Sequence, residues 1–195
     1  MAHRADIDRR TQRTRDALHA ALGSLVHEKP YDDVVVQEIL GRACVARSTF
    51  YTHYRDKADL LEQSILDLLR IGRPSPPSRW STASDRLLRF SLPFLEHVER
   101  WRAQGLTDPR DAGTVHDHLR RVLERELVVE LRAERRGRTV AGDAQFPLDL
   151  LARHLAATFV LTLEWWLAHP ALHARDVDAR FRALVDPPLR ASLGT

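Results

Sequence analysis

Cysteine occurs once in this chain, at Cys44, so neither an internal disulfide nor a cysteine-rich zinc site can form, and a reducing compartment is expected. Lysine is almost as scarce. Lys29 and Lys57 stand alone against 28 arginines, a bias that points to a GC-rich genome and not to a function. No run approaches the roughly 18 apolar residues of a membrane helix, and the start, MAHRADIDRR, lacks the apolar segment of a secretion signal. A cytoplasmic protein without a membrane partner is therefore expected. There is no G-x-S-x-G, no glycine-rich phosphate loop and no carboxylate pair suited to acid and base roles, so no catalytic residue, metal ligand or cofactor is assigned.

What is present is a chain of 195 residues, 44% of them apolar, enough to bury a core in one large or two small domains. The stretch from Val34 to Leu61 organises the rest. Val36, Ile39, Leu40 and Ala43 recur at helical spacing while Gln37, Glu38 and Arg42 point away, and after Cys44 and Val45 a second short helix buries Phe50. Two short helices around a tight turn read as a helix-turn-helix. The second suits the major groove, which is about 12 Å wide: Arg47 can donate twice to a guanine, Ser48 and Thr52 can reach neighbouring bases, and Tyr51, His53 and Lys57 are spaced to hold phosphates. The net charge of +3 is small, but Arg4, Arg9, Arg10, Arg13 and Arg15 cluster near the start, a plausible phosphate footprint beside this helix. The bland alternative is a generic surface helix pair.

Thr49-Phe50-Tyr51, His53-Tyr54, Lys57 and Leu60-Leu61 follow the T-x-Y, aromatic or histidine pair and K-x-x-L-L order, and the stretch resembles the DNA-binding domain of the TetR family of transcriptional repressors. The resemblance implies that Arg47, Ser48 and Thr52 read bases, that Gln37 reaches in from the preceding helix, and that Thr49, Tyr51, His53 and Lys57 hold phosphates. It also implies an all-α protein: an N-terminal three-helix helix-turn-helix DNA-binding domain over residues 1–57, a connecting helix over 56–71, and a larger helical ligand-binding and dimerisation domain over 58–195. The implied function is a ligand-responsive repressor that binds a palindromic double-stranded DNA site as a homodimer, with an effector moving the connecting helix. Three positions depart from the family's pattern. Cys44 stands at the turn glycine, where a left-handed backbone costs a non-glycine residue about 1–2 kcal/mol. Ala46 and Val35 replace the hydroxyl residues that cap the two helices, each a loss of about 1 kcal/mol.

Elsewhere the chain reads as helices. Residues 1–8 are expected to be disordered, a first helix runs over 9–28, and Gly72 to Ser78 is the expected domain boundary. One helix from about residue 84 carries Pro93 as a kink, a long helix covers about 114–136, and the loops lie at 105–113 and 137–146. The helix over about 147–168 is apolar on two sides, one stripe including Leu151, Leu155, Phe159, Thr162 and Trp166, the other Leu150, Ala157, Leu161 and Trp165. A helix apolar on two sides needs two covers, so it and the last helix, about 176–185 with Phe181, are expected to pair with a second copy in a four-helix bundle. Phe94, His97 and Trp101, with Phe159, Thr162 and Trp166, are the candidate lining of a mostly apolar pocket for a small-molecule effector. Two rival functions are kept open: an adaptor acting through a protein partner, motivated by the departures at Cys44, Ala46 and Val35, and a metal-dependent phosphohydrolase, motivated by His116-Asp117-His118. Alternate residues on a helix point about 200° apart, which argues against one ion held by both histidines.

Overall fold

The computed structural model describes residues 2–71, 82–104, 113–136 and 146–193, with side chains from residue 9 onward except that of Ile71. Over these residues the chain is all helical: α1 (Ala2–Glu28), a single 3-10 turn (Tyr31–Asp33), α2 (Val36–Ala43), α3 (Arg47–His53), α4 (Lys57–Ile71), α5 (Ala83–Leu87), α6 (Ser91–Ala103), α7 (Gly113–Arg135), α8 (Leu148–Leu167) and α9 (Ala174–Leu193). The expected boundary at 72–78 and most of the expected loops at 105–113 and 137–146 lie outside the described residues. No described helix is long and apolar enough to cross a membrane.

The first four helices share a core of Leu18, Leu22, Leu25, Ile39, Leu40, Phe50, Tyr54 and Leu60. Arg42 on α2 clamps it from outside, donating through Nη2 to Glu28 (2.8 Å) and through Nη1 to Ser24 (2.7 Å) on α1. The opposite surface of α4 packs against α6 and α7, with Ile65, Leu66 and Leu69 buried there, so α4 belongs to both halves of the core. Behind it α7 packs on α8, and α9 packs on both α6 and α8. Phe90, Phe94, Phe159 and Phe181 form an aromatic centre among them, Phe159 lying edge-on to Phe90 and Phe181 with centroids 5.1 Å from each.

Four expectations need correction. Residues 2–8 continue α1, since AHRADID contains no glycine or proline to stop it. The helix expected to kink at Pro93 is instead two helices, broken at Leu88–Phe90. Pro93 sits in the first turn of α6, where a backbone N–H has no intrahelical acceptor and its loss is harmless. The break is stabilised from α9: Arg182 Nη2 donates to the Leu88 carbonyl (3.0 Å), and its Nε donates to buried Asp178 (2.8 Å), which also accepts from the Ser91 hydroxyl. The last helix does not end near residue 185 but runs through Pro187 and Pro188, because Leu189, Ser192 and Leu193 extend the buried stripe of Phe181 and Val185 by two more turns. Finally, Phe181 is not at an outer seam; it is 0% exposed within the single chain.

The two stripes of α8 separate cleanly. Leu151, Leu155, Phe159, Thr162 and Trp166 are buried, whereas Leu150, Ala157, Leu161 (63% exposed) and Trp165 lie open, as does Leu184 of α9 (59% exposed).

Candidate nucleic-acid interface and cavity

The presentation of α3 follows from its two ends. At its start the α2–α3 turn is made by Cys44, in the left-handed region at φ 52° and ψ 42°, the one non-glycine residue with positive φ among those described. Its N–H reaches the Gly41 carbonyl (3.3 Å), and Val45 N–H reaches that of Leu40 (3.1 Å), which closes α2 and turns the chain. Ala46 caps α3 with extended backbone and no side-chain bond, as its lack of a hydroxyl requires. At Val35 only half of a capping box forms. The Glu38 carboxylate accepts from Val35 N–H (3.0 Å) and from Lys29 Nζ (2.7 Å), but a valine side chain has nothing to return.

At its far end, α3 is anchored by Tyr54, whose hydroxyl lies 2.8 Å from His19 Nε2 on α1, while His19 Nδ1 lies 3.6 Å from Asp67 on α4. Burial raises the Tyr54 phenol to about 12 and lowers the His19 imidazole despite Asp67, so this joint is neutral phenol to neutral imidazole.

Between these ends Phe50 is buried and the polar face is open. Gln37, Arg47, Ser48, Tyr51 (49% exposed) and Thr52 are exposed; Thr49 and His53 are half-buried on the flanks. The Arg47 guanidinium lies 5.7 Å from the Tyr51 ring centroid, and Thr52 donates to the Ser48 carbonyl (3.0 Å), leaving its oxygen as an acceptor. Lys57 is placed differently from the others. Its ammonium donates to the carbonyls of Tyr31 (2.7 Å), Val34 (2.7 Å) and Asp32 (3.2 Å) and lies 4.2 Å from the Tyr31 ring centroid. All three of its protons are engaged in holding the turn that leads into α2.

Behind α1 and α4 lies a cavity of about 910 Å³. Leu61, Ile65 and Leu68 of α4, Leu119 of α7, and Leu163 and Leu167 of α8 supply apolar wall; His19, Gly23 and His27 of α1, Phe94, His97 and Trp101 of α6, and His116 of α7 also line it, with charged groups including Asp16 and Asp67. Of the six residues proposed from sequence, Phe94, His97 and Trp101 line it. Phe159, Thr162 and Trp166 do not: Phe159 is spent in the aromatic centre, Thr162 donates to the Thr158 carbonyl (2.7 Å), and Trp166 donates to Leu172 O (2.8 Å) beneath Arg102. Leu163 and Leu167, one residue further round α8, take their place. Sequence reasoning also missed His19 and His27, because nothing local marks which face of α1 will meet α6. Burial lowers His27 and His97, with Arg100 and His27 adding to the effect on His97, so both imidazoles are held neutral.

His116 and His118 point to different neighbours, His116 Nδ1 lying 2.9 Å from Glu164 and the His118 ring 6.1 Å from Tyr31, while Asp117 pairs with Arg120. No group of three or more histidine, cysteine or acidic side chains is placed to hold a metal ion among the described residues.

An exposed polar helix set on a glycine-like turn, in an all-helical chain, defines a helix-turn-helix protein. The family model for bacterial regulatory proteins of the tetR family matches residues 18–63. An uncharacterized HTH-type transcriptional regulator of Bacillus subtilis, YxbF, is 40% identical over 60 residues, which are 30% of this chain and 16% of that protein. A TetR transcriptional regulator from Streptococcus agalactiae is 28% identical, with 93% of this chain and 98% of that one aligned at a TM-score of 0.56. A solved structure from Syntrophomonas wolfei, 16% identical, shares the fold over 90% of this chain and 94% of its own at a TM-score of 0.63. Residues 18–63 thus match the DNA-binding model of the tetR family, and the chain as a whole is similar in sequence and fold to a TetR transcriptional regulator.

Proposed function

We propose that the protein is a ligand-responsive transcriptional repressor that binds a palindromic DNA site as a homodimer and is released by an apolar or aromatic small molecule. The observation that carries this reading is the joint from α3 through Tyr54 and His19 to Asp67: His19 and Asp67 also line the cavity, so a molecule filling it touches the anchor of the recognition helix. The DNA-binding unit is residues 1–57 and the effector and dimer unit 58–195, with α4 between them. Arg47, Ser48, Thr52 and Gln37 would read bases, and Thr49, Tyr51 and His53 would meet phosphates. Lys57 contributes by fixing the turn before α2, its charge still adding to the basic field. The open stripe of α8, with Leu184 of α9, would be covered by the same stripe of a second copy, as closed two-fold symmetry requires of an isologous contact.

An effector can release the protein only if it binds the DNA-incompetent arrangement more tightly, and displacement of α4 relative to α1 at the His19–Asp67 contact is the change it would favour. Selection of DNA from random sequence by the purified protein tests the reading. Enrichment of an inverted repeat, with binding that weakens steeply as salt rises, is expected. Recovery of no sequence above background would replace it with an adaptor that acts through a protein partner.

A further inference from the structure

One end of the cavity has the chemistry of a reader. His27 of α1 stacks on Trp101 of α6 with centroids 4.6 Å apart and planes 28° from parallel. Trp101 Nε1 donates to His97 Nε2 at 2.7 Å. An indole N–H only donates, so His97 Nε2 must present its lone pair, and in the neutral ring the proton sits on Nδ1. That Nδ1–H has no partner among the described residues, and neither does either nitrogen of His27; none of the three is sealed from solvent. This end of the cavity therefore presents the His97 Nδ1–H donor and the uncommitted His27 imidazole beside a stacked aromatic surface.

Arg100 is the charged side chain that bears on His97. Each acid lining the cavity has a partner of its own: Asp16 accepts from Gln12 (2.8 Å), Asp67 lies beside Arg70 (3.7 Å), and Glu28 accepts from Arg42 (2.8 Å). We propose that His27 and His97 form the recognition end of this cavity for an aromatic carboxylate, its ring lying against the His27–Trp101 stack and its carboxylate accepting from His97 Nδ1–H and from His27. The proposal rests on the reading of the cavity as an effector site. It places the bound molecule in direct contact with α1, so the DNA-binding helices are touched by the ligand itself as well as through α4.

Calorimetric titration of the full chain with 2-naphthoate and with 2-naphthylmethanol tests it, the two probes sharing a ring system and differing in charge. The wild-type protein is expected to bind the carboxylate about tenfold more tightly, the low end for a hydrogen bond to a charged group. His27→Phe keeps the stack and removes both nitrogens; His97→Gln keeps an acceptor for Trp101 and removes the imidazole. Each should weaken 2-naphthoate about five- to tenfold and leave the alcohol within about twofold. Equal affinity of the wild-type protein for the two probes, or equal loss of both in the variants, overturns the histidine assignment while leaving the cavity an aromatic site. Binding of neither probe at millimolar concentration overturns the assignment and the effector reading of the cavity together.

Discussion

The recognition helix and the cavity behind it are held in contrasting ways. The outer face of α3 is exposed because one contiguous stretch supplies its local anchors, with Phe50 buried, Cys44 at the turn and Tyr54 at the end, the last held by His19 of α1. The cavity has no such local author. Its walls come from α1, α4, α6, α7 and α8, and its shape depends on contacts between residues far apart, such as Gly23 of α1 against Trp101 of α6 and Arg182 of α9 at the break before α6. The contrast teaches that damage to the rear core should reach the cavity and the fold together, whereas damage at α3 should stay at the DNA.

The largest effect expected is at Phe181. Truncation to alanine removes a ring packed against both Phe159 and Phe90 and should cost about 3–5 kcal/mol in chemical denaturation. Leu161→Glu, by contrast, changes an open position and should leave helix content intact while shifting the protein to monomer in sedimentation. If Leu161→Glu lowers stability as much as Phe181→Ala, the open stripe has been misjudged as an outer face.

At the other pole, Arg47→Ala should relax preference at one base pair in each half-site by about 1–3 kcal/mol, measured on a panel of single-base variants, with thermal stability unchanged. Lys57→Ala should do the opposite. It frees three carbonyls before α2, so it should lower the melting temperature and weaken all DNA sequences alike. A Lys57 variant with an unchanged melting temperature would return that residue to direct phosphate binding.

A third separation uses pH. His19, His27, His97 and His118 all lie below their ordinary value of 6.5 in the folded protein, chiefly through burial. Because the unfolded chain then binds more protons than the native one, the stability is complete above pH 6.5 and is lost as pH falls through the gap between the ordinary and lowered values. The melting temperature should drop between pH 7.5 and pH 5.5, and His27→Phe should reduce that drop. An equal drop in the variant would remove His27 from the linkage.

How much of this was legible in the sequence tracks the same contrast. Helical spacing at Val36, Ile39, Leu40 and Phe50 placed α2 and α3 correctly, and Cys44 at a glycine position announced a left-handed turn, because these signals lie within a few residues of what they control. The two stripes of α8 were also legible, since a 3.6-residue period is a local property. What period could not supply is the partner of each stripe: Phe159, Thr162 and Trp166 are buried as expected, but among the aromatic rings near α6 and α9, against their own helix and beneath Arg102, and not around the cavity. The same limit hid His27, which matters only because α6 brings Trp101 beneath it. The continuation of α9 through Pro187-Pro188 was misread because local propensity opposed it, while burial of Leu189 and Leu193 favoured it.

The smallest effects concern the two departures that can be repaired within the recognition module. Cys44 holds φ 52°, a region that an L side chain occupies at a cost of about 1–2 kcal/mol, so Cys44→Gly relieves contact strain but gives the unfolded chain more freedom. The two terms partly cancel, and a gain of about 0.5–1 kcal/mol is expected. Val35→Thr acts on a different deficiency. It supplies an oxygen for the Glu38 N–H while the Glu38 carboxylate continues to hold Val35 N–H, completing the reciprocal pair at the start of α2. A hydroxyl cap of this kind contributes about 1 kcal/mol. The sites lie at opposite ends of α2, share no partner, and should add in a double variant. Because neither faces the groove-facing surface of α3, selectivity among DNA sequences should be unchanged while the melting temperature rises. A Cys44→Gly variant less stable than wild type would mean that the thiol, which lies 3.7 Å from the Gly41 carbonyl, contributes more to the turn than its backbone strain removes.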